Sequence, residues 1–288
     1  MFSASRISDW QRDLPDPRDF SVSHRGVERL LNALPCDAEP QTSVDLREYE
    51  EGACFRHGLH QPSVYSSTAT SILCLVEYFE RRTLGRMRGG SASFLDILTR
   101  RVNGFGPGSP VSLRSTLRTL KRFGVPPEEL LTVEPTIPMV DPTLYAFARD
   151  YETLVYFRLD PCNTCGDETL HWVRCFLSAG FPVAFGFSVP CSITQHPTVP
   201  YRPRYDTYLG GRATVAVGFD DSFLGAKTGA LLIQSCWGEE WGDEGYGWLP
   251  YAFVNEQLAC DFWTLIDKRW LPSAGEFAEL ARPQRLPT

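Results

Sequence analysis

Long apolar runs are absent from this 288-residue sequence. No segment approaches the roughly 18 consecutive apolar residues that a membrane-crossing helix needs, so no membrane partner is expected. The opening stretch, MFSASRISDWQRDLPDPRDF, reaches charges and prolines before any apolar run long enough for the core of an export signal. An intracellular location is therefore the expectation. Excess positive charge is lacking as well: 28 Lys and Arg stand against 35 Asp and Glu, a net charge of -7. Nucleic-acid affinity rests largely on cations that neutralise phosphates, so nucleic acid is not an expected partner. Histidine is scarce, with His24, His57, His60, His171 and His196 making up the full set of five. Imidazole chemistry is confined to those five places.

What is present describes a folded body. Hydrophobic residues at 43% and charged residues at 22% lie near globular averages, which argues against disorder or a fibrous architecture. The length fits one large domain or two lobes sharing a cleft. Nine cysteines is an odd number, so at least one stays outside any intramolecular pairing, and a reducing compartment would leave most of them as buried thiols.

Residues 1–43 are rich in Pro, Asp and Arg, with one short amphipathic piece, VERLLNAL, and read as an extended arm on the body. A body over 44–271 and a tail over 272–288 follow. From Thr68 to Arg82 the chain is apolar over a broad face and ends in two arginines before Gly85, which suits a buried helix with cations near its C-terminus. Further helices are expected at SFLDILTRRVNG and at SLRSTLRTLKRFG, where Ser112 can cap and Leu113, Leu117 and Leu120 repeat at helical spacing. The texture then changes to TLVYFRL, FPVAFGFSV, ATVAVGFDD and GALLIQSCW, short runs bounded by Gly, Pro and Asp that read as strands. One helix, DETLHWVRCFLSAG, interrupts them. A helical part over about 60–135 and a strand-rich part over about 150–271 make an α+β pattern, with a cleft between them as the natural ligand site.

Three stretches now carry a resemblance. Gln61 is followed six residues later by Ser67 at the mouth of an apolar helix; GGRATVAVGFDD spans Gly210 to Asp221; SCWGEEWGDEGYGWLP spans Ser235 to Pro250. With DLPDPRD in the arm, SVDLREY and SLRSTLRTLKRFGVPPEE, they resemble, in order, the papain-like (C1) cysteine peptidase family, in particular its bacterial-type members with a short arm. The resemblance implies a two-lobe fold, with a helical N-terminal lobe, a strand-rich antiparallel C-terminal lobe and an interlobe cleft.

It also implies a departure in function. The family's nucleophile position holds Ser67, its general-base position Arg212 and its orienting position Ser235; Gln61 alone stands where an oxyanion donor is asked for. A guanidinium stays protonated at physiological pH, so Arg212 cannot take a proton from Ser67. The surrounding YLGGRATVAVGF contains no His, Asp or Glu to replace it. Asp206, Asp220 and Asp221 are the nearby acids in sequence, and any of them could pair with Arg212. Tyr65 and Ser66 stand where the family has Gly-Ser, and a phenol there would fill or reshape the cleft floor. Trp237 is expected to cover the region of Arg212 and Ser235. The expectation is a proteolytically inactive papain-like protein that binds a peptide or protein partner, or an acidic ligand at Arg212, or serves as an assembly subunit. The alternatives are a Ser67-dependent hydrolase or acyl transferase, and a residual peptidase.

One further constellation lies apart. CNTCGDETLHWVRC places Cys162, Cys165, His171 and Cys175 within fourteen residues, a set that can supply three sulfurs and one imidazole to a tetrahedral zinc. A disulfide and unlinked thiols are the competing readings, and no other cofactor is expected. His60 reads as a surface or structural histidine, NGFGPGSP as a flexible turn without the ending of a phosphate loop, and RPRY as a solvated loop.

Overall fold

A computed structural model describes residues 8–22, 41–48, 55, 67–106, 108–131, 142–152, 154–161, 164–225 and 228–267. Five α-helices and seven strands are formed among them: α1 (Ser67–Leu84), α2 (Ala92–Asn103), α3 (Leu113–Phe123), α4 (Gly166–Ser178) and α5 (Ala252–Asn255), with β1 (Ser43–Asp45), β2 (Leu154–Arg158), β3 (Val183–Pro190), β4 (Tyr208–Asp220), β5 (Ala230–Gln234), β6 (Tyr246–Pro250) and β7 (Ala259–Asp267). No helix among the described residues is long and apolar enough to cross a membrane.

The α1 helix is buried at every position from Ser67 to Glu80. It packs between α2 and α3 on one side and β4 and β3 on the other. Polar side chains on such a helix need partners inside. Cys74 donates to Gln234 Oε1 at 3.1 Å, Thr68 and Thr116 hydroxyls meet at 3.2 Å, and Tyr78 donates to the Gly180 carbonyl at 3.0 Å. The α2 and α3 helices begin as their sequences ask: Ser91 Oγ accepts from the Phe94 N–H and Ser112 Oγ from the Ser115 N–H. Leu113, Leu117 and Leu120 are all fully buried on one face of α3.

The strands form one antiparallel sheet in the order β2-β7-β3-β4-β5-β6, with β1 also pairing β4. The long β4 serves three neighbours along its length. Its first part pairs β3, with Gly211 opposite Ser188, Arg212 opposite Phe187 and Ala213 opposite Gly186. Its last part lies between β5 and β1, where Asp220 pairs Ala230 and Ser43. The strands β1, β6 and β7 emerge from stretches that the sequence had not marked as strands. Phe185, Phe187, Phe219 and Phe262 fill the core with Trp241 and Trp263.

Residues 8–22 of the arm are partly drawn into the body. Asp9, Trp10, Asp13 and Val22 are buried, and Trp10 forms a parallel bridge with Val111. The DLPDPRD stretch meets arginines one turn apart on α3. Arg114 Nε donates to Asp19 Oδ1 at 2.8 Å and Nη1 to the Leu14 carbonyl at 2.6 Å, while Arg118 Nη2 donates to Asp16 Oδ2 at 2.8 Å. Asp13 Oδ2 accepts from the Arg114 N–H at 3.2 Å and from Trp263 Nε1 at 3.1 Å.

The second anchor of Asp13 comes from a bulge. Between the Ala184–Trp263 and Gly186–Cys260 pairs, β7 holds an extra residue, and Asp261 sits there at φ 60°. Asp160 replaces the lost ladder bonds by accepting the Asp261 and Phe262 N–H groups at 2.7 and 2.8 Å. Asp261 Oδ2 accepts the Asp13 N–H at 2.7 Å, and Oδ1 accepts from Arg158 Nη2 at 2.6 Å. Burial, and then the neighbouring Asp13 carboxylate, push the Asp261 carboxyl up from 3.8 to about 7, against the pull of Arg158. The folded state therefore holds this proton more tightly than the unfolded chain. Stability from this group is present below about pH 4 and is lost as pH rises through about 7. Urea unfolding should show that fall, and Asp261→Asn, a residue that also tolerates positive φ, should flatten it. An unchanged pH profile in that variant would contradict the assignment.

Candidate functional site

Ser67 opens α1 and is fully buried. Its first-turn N–H has no acceptor within the helix, and the aligned peptide dipoles favour an anion there. The arm supplies one. Asp9 Oδ2 accepts the Ser67 N–H at 3.0 Å, and Asp9 Oδ1 accepts the Ser67 hydroxyl at 2.5 Å. Ser67 Oγ in turn accepts the Ala213 N–H at 3.1 Å, which ties the helix to β4. Asp9 is itself fully buried. The hydroxyl is thus polarised by a carboxylate and engaged on its acceptor side.

The main chain of the arm crosses from one half of the fold to the other at this point. The N–H groups of Asp9 and Trp10 both approach the Gly211 carbonyl, at 3.1 and 3.2 Å. On the helical side the Val111 N–H donates to the Asp9 carbonyl at 2.9 Å and the Gln11 N–H to the Val111 carbonyl at 3.2 Å. The Trp10 ring lies over two glycines that share one face of the β3–β4 ladder. A Cβ added at Gly186 would stand 1.9 Å from the ring, and one at Gly211 2.5 Å. Side chains there would expel the indole.

Arg212 alternates to the opposite face of β4 from Gly211 and Ala213. It is 2% exposed, its Nη2 reaches Cys236 Sγ at 3.4 Å, and its guanidinium lies 5.3 Å from the Trp237 ring centre. A cation over an indole face is attracted by the ring quadrupole. Burial raises the Cys236 thiol above its ordinary range, with Arg212 pulling the other way. Trp237 also packs edge-on against Trp241, at 4.8 Å between centroids. Ser235 serves its own turn: its Oγ accepts the Trp237 N–H at 3.1 Å.

The structure therefore brings Ser67, Arg212, Ser235 and Trp237 into one neighbourhood, around β4 and the end of β5. Gln61, Tyr65, Ser66 and His60 lie outside the described residues. The three acids that sequence offered to Arg212 are engaged elsewhere. Asp206 accepts from Ser192 at 2.7 Å, Asp220 from Ser222 at 2.9 Å, and Asp221 from Arg174 at 2.5 Å and Tyr251 at 2.8 Å. The carboxylate in the site is Asp9, which sequence reasoning missed. The available signal was the Asp-Trp pair itself, an aromatic residue stranded in a polar arm.

For the cysteine cluster, His171 Nε2 and Cys175 Sγ face each other at 3.8 Å on α4, and Cys165 is the residue preceding that helix. Cys162 lies outside the described residues, and among the described residues no three such donors are grouped to hold a metal.

An α-helical half against an antiparallel sheet, with the long α1 buried at their junction, is the papain-like fold. The chain is similar to xylellain, a cysteine protease from Xylella fastidiosa, with a TM-score of 0.70 and 24% identity over 90% of this chain and 96% of that one. It is similar also to procathepsin B from Trypanosoma congolense, with a TM-score of 0.59 and 17% identity over 92% of this chain and 87% of the other. An uncharacterised peptidase C1-like protein of Acanthamoeba polyphaga mimivirus is 31% identical over 275 residues, 91% of this chain and 87% of that protein. The chain belongs to this peptidase C1-like family. No protein-family model matches it.

Removing the Asp9 carboxylate leaves the Ser67 N–H and hydroxyl buried without their acceptor. Asp9→Ala should cost roughly 2–6 kcal/mol in urea unfolding, at about 1–3 kcal/mol for each of the two buried groups left unpaired. Ser67→Ala should then cost less in the Asp9→Ala background than in the wild type, because the pair acts as a unit. Strict additivity of the two changes would show that they do not interact.

Proposed function

We propose that this chain is a proteolytically inactive papain-like protein whose cleft region serves binding of a peptide or protein partner. The observation that carries the reading is the state of Ser67. At the place where the family keeps its nucleophile stands a fully buried hydroxyl, held between the Asp9 carboxylate and the Ala213 N–H. The base position holds Arg212, a permanent cation packed on Trp237. Nucleophilic catalysis needs an accessible nucleophile, a base that accepts its proton and a geometry that returns that proton to the leaving group. None of those roles is filled by Ser67, Arg212 and Ser235 as arranged. An intracellular location belongs to the same reading, supported by Cys165, Cys191, Cys236 and Cys260, which form no disulfide among the described residues.

One observation favours a second reading, a Ser67-dependent hydrolase or acyl transferase. Asp9 Oδ1 lies within hydrogen-bond reach of the hydroxyl, as a general base must. The same carboxylate is also bound to the Ser67 N–H at the helix end, and both residues are closed off from solvent, which favours a structural role.

A panel of unstructured peptide and ester substrates should show no turnover, and a thiol-directed papain-family inactivator no labelling at position 67. Ser67→Cys alone should stay inactive, since the thiol would still lack a donor for the leaving group. Turnover abolished by both Ser67→Ala and Asp9→Ala would establish the second reading instead.

A further inference from the structure

Two surface turns of the strand-rich half, each held by main-chain hydrogen bonds, carry opposite charge. In the first, the Tyr205 and Asp206 N–H groups both donate to the Arg202 carbonyl, each at 2.9 Å. Arg202 and Arg204 are exposed there, with Tyr205 85% and Tyr208 41% exposed beside them. The acid of this turn faces inward, where Asp206 accepts from the Ser192 hydroxyl at 2.7 Å. No ion pair among the described residues engages Arg202 or Arg204.

The second turn is closed by the Asp243 N–H on the Tyr246 carbonyl at 2.8 Å and the Tyr246 N–H on the Asp243 carbonyl at 2.9 Å. Glu244 and Gly245 between them take φ of 53° and 89°, the tight hairpin turn with both central residues left-handed. Glu239, Glu240, Asp243 and Glu244 are all exposed, and carboxylates so close in the chain repel one another. Arg47, whose charge reaches Asp243, is itself bonded to Asp45 at 2.6 Å. The acidic turn sits against the chain that leads to the basic one: Trp241 Nε1 donates to the Thr194 carbonyl at 2.9 Å and the Gly242 N–H to the Gln195 carbonyl at 3.0 Å. Arg202 follows Gln195 closely, so the two turns stand at most roughly 25 Å apart at about 3.5 Å of chain per residue. A standard interface covers roughly 800 Å² of each partner, a patch wide enough to hold both.

We propose that this surface docks a second copy of the chain across a two-fold axis, with Arg202 and Arg204 of each copy facing the acidic turn of the other. Charge of both signs within one patch selects a partner that carries both, and a second copy carries them at the matching spacing. A two-fold rotation lays each end on its opposite and closes the assembly at two chains. Tyr205 and Tyr208 supply the apolar area that charge pairs lack, and tyrosine and arginine are the residues that interface centres favour. The net charge of -7 on each chain opposes approach at long range, but at about 0.15 M salt that field is screened beyond roughly 8 Å. The pairing does not rest on the state of Ser67, and an active or an inactive protein would pair alike.

Sedimentation equilibrium of the full chain at about 0.15 M salt, across the micromolar range, should show a rise from the mass of one chain to that of two. The double variant Arg202→Glu/Arg204→Glu, and separately Glu239→Arg/Glu240→Arg, should each weaken pairing roughly tenfold or more, because like charges then meet across the axis. All four side chains are exposed, so neither variant disturbs the core. Mixing the two variants should restore pairing, since each then presents the sign that the other lacks at both turns. A wild type that stays monomeric throughout, a dimer indifferent to both reversals, or a mixture that fails to recover would overturn the inference. A mass that climbs past two chains would overturn the two-fold closure.

Discussion

The carboxylate of Asp9 on the N–H and hydroxyl of Ser67 is the contact on which the arrangement of the site depends. It satisfies the N-terminus of an 18-residue helix that is buried over most of its length, where an unpaired amide would be costly. It also fixes the hydroxyl so that its oxygen can accept the Ala213 N–H, and through that bond the helix is locked to β4. With β4 in register, Gly211 presents its carbonyl to the arm, and Gly211 with Gly186 leaves room for Trp10. A cysteine at 67 would give a weaker donor to Asp9 and a weaker acceptor for Ala213. Serine suits a structural junction better than it suits a nucleophile without a histidine.

The arm would not deliver Asp9 without its own supports. Asp13 is placed by Asp261, which in turn depends on a bulge in β7 and on Asp160 accepting the freed amides. Arg114 then receives Asp19, and Arg118 receives Asp16, so acids spaced three apart in the arm meet cations four apart on α3. Arg114 and Asp19 are drawn largely out of water, so removing one strands the other, whereas the Arg118–Asp16 pair lies at the exposed edge. The polar composition of the arm, which in isolation suggests a solvated tail, is the means of its attachment.

Much of this was legible in the sequence. The periodicity of Leu113, Leu117 and Leu120 and the cap at Ser112 are local signals, and each appears in the structure where local physics places it. The motifs around Ser67, Arg212 and Ser235 indicated the family before any coordinates. The strands β6 and β7 were less visible, because YGWLP carries Gly and Pro and β7 is broken by a bulge that only its partners explain. For Asp9 the one local signal was the aromatic Trp10 beside it. Its role depends on a contact spanning 58 residues, and no local rule says which acid of a polar arm will enter a buried site.

Amide hydrogen exchange across residues 8–11 and at Ser67 tests the central claim most directly, because an arm seated in the site has its amides bonded to Gly211 and Val111 and a helix end bonded to Asp9. The account predicts that Asp9, Trp10, Gln11 and Ser67 exchange with protection comparable to that of β4, at least about a thousandfold slower than an open chain. Exchange of Asp9 and Trp10 at open-chain rates, with β4 fully protected, would contradict it.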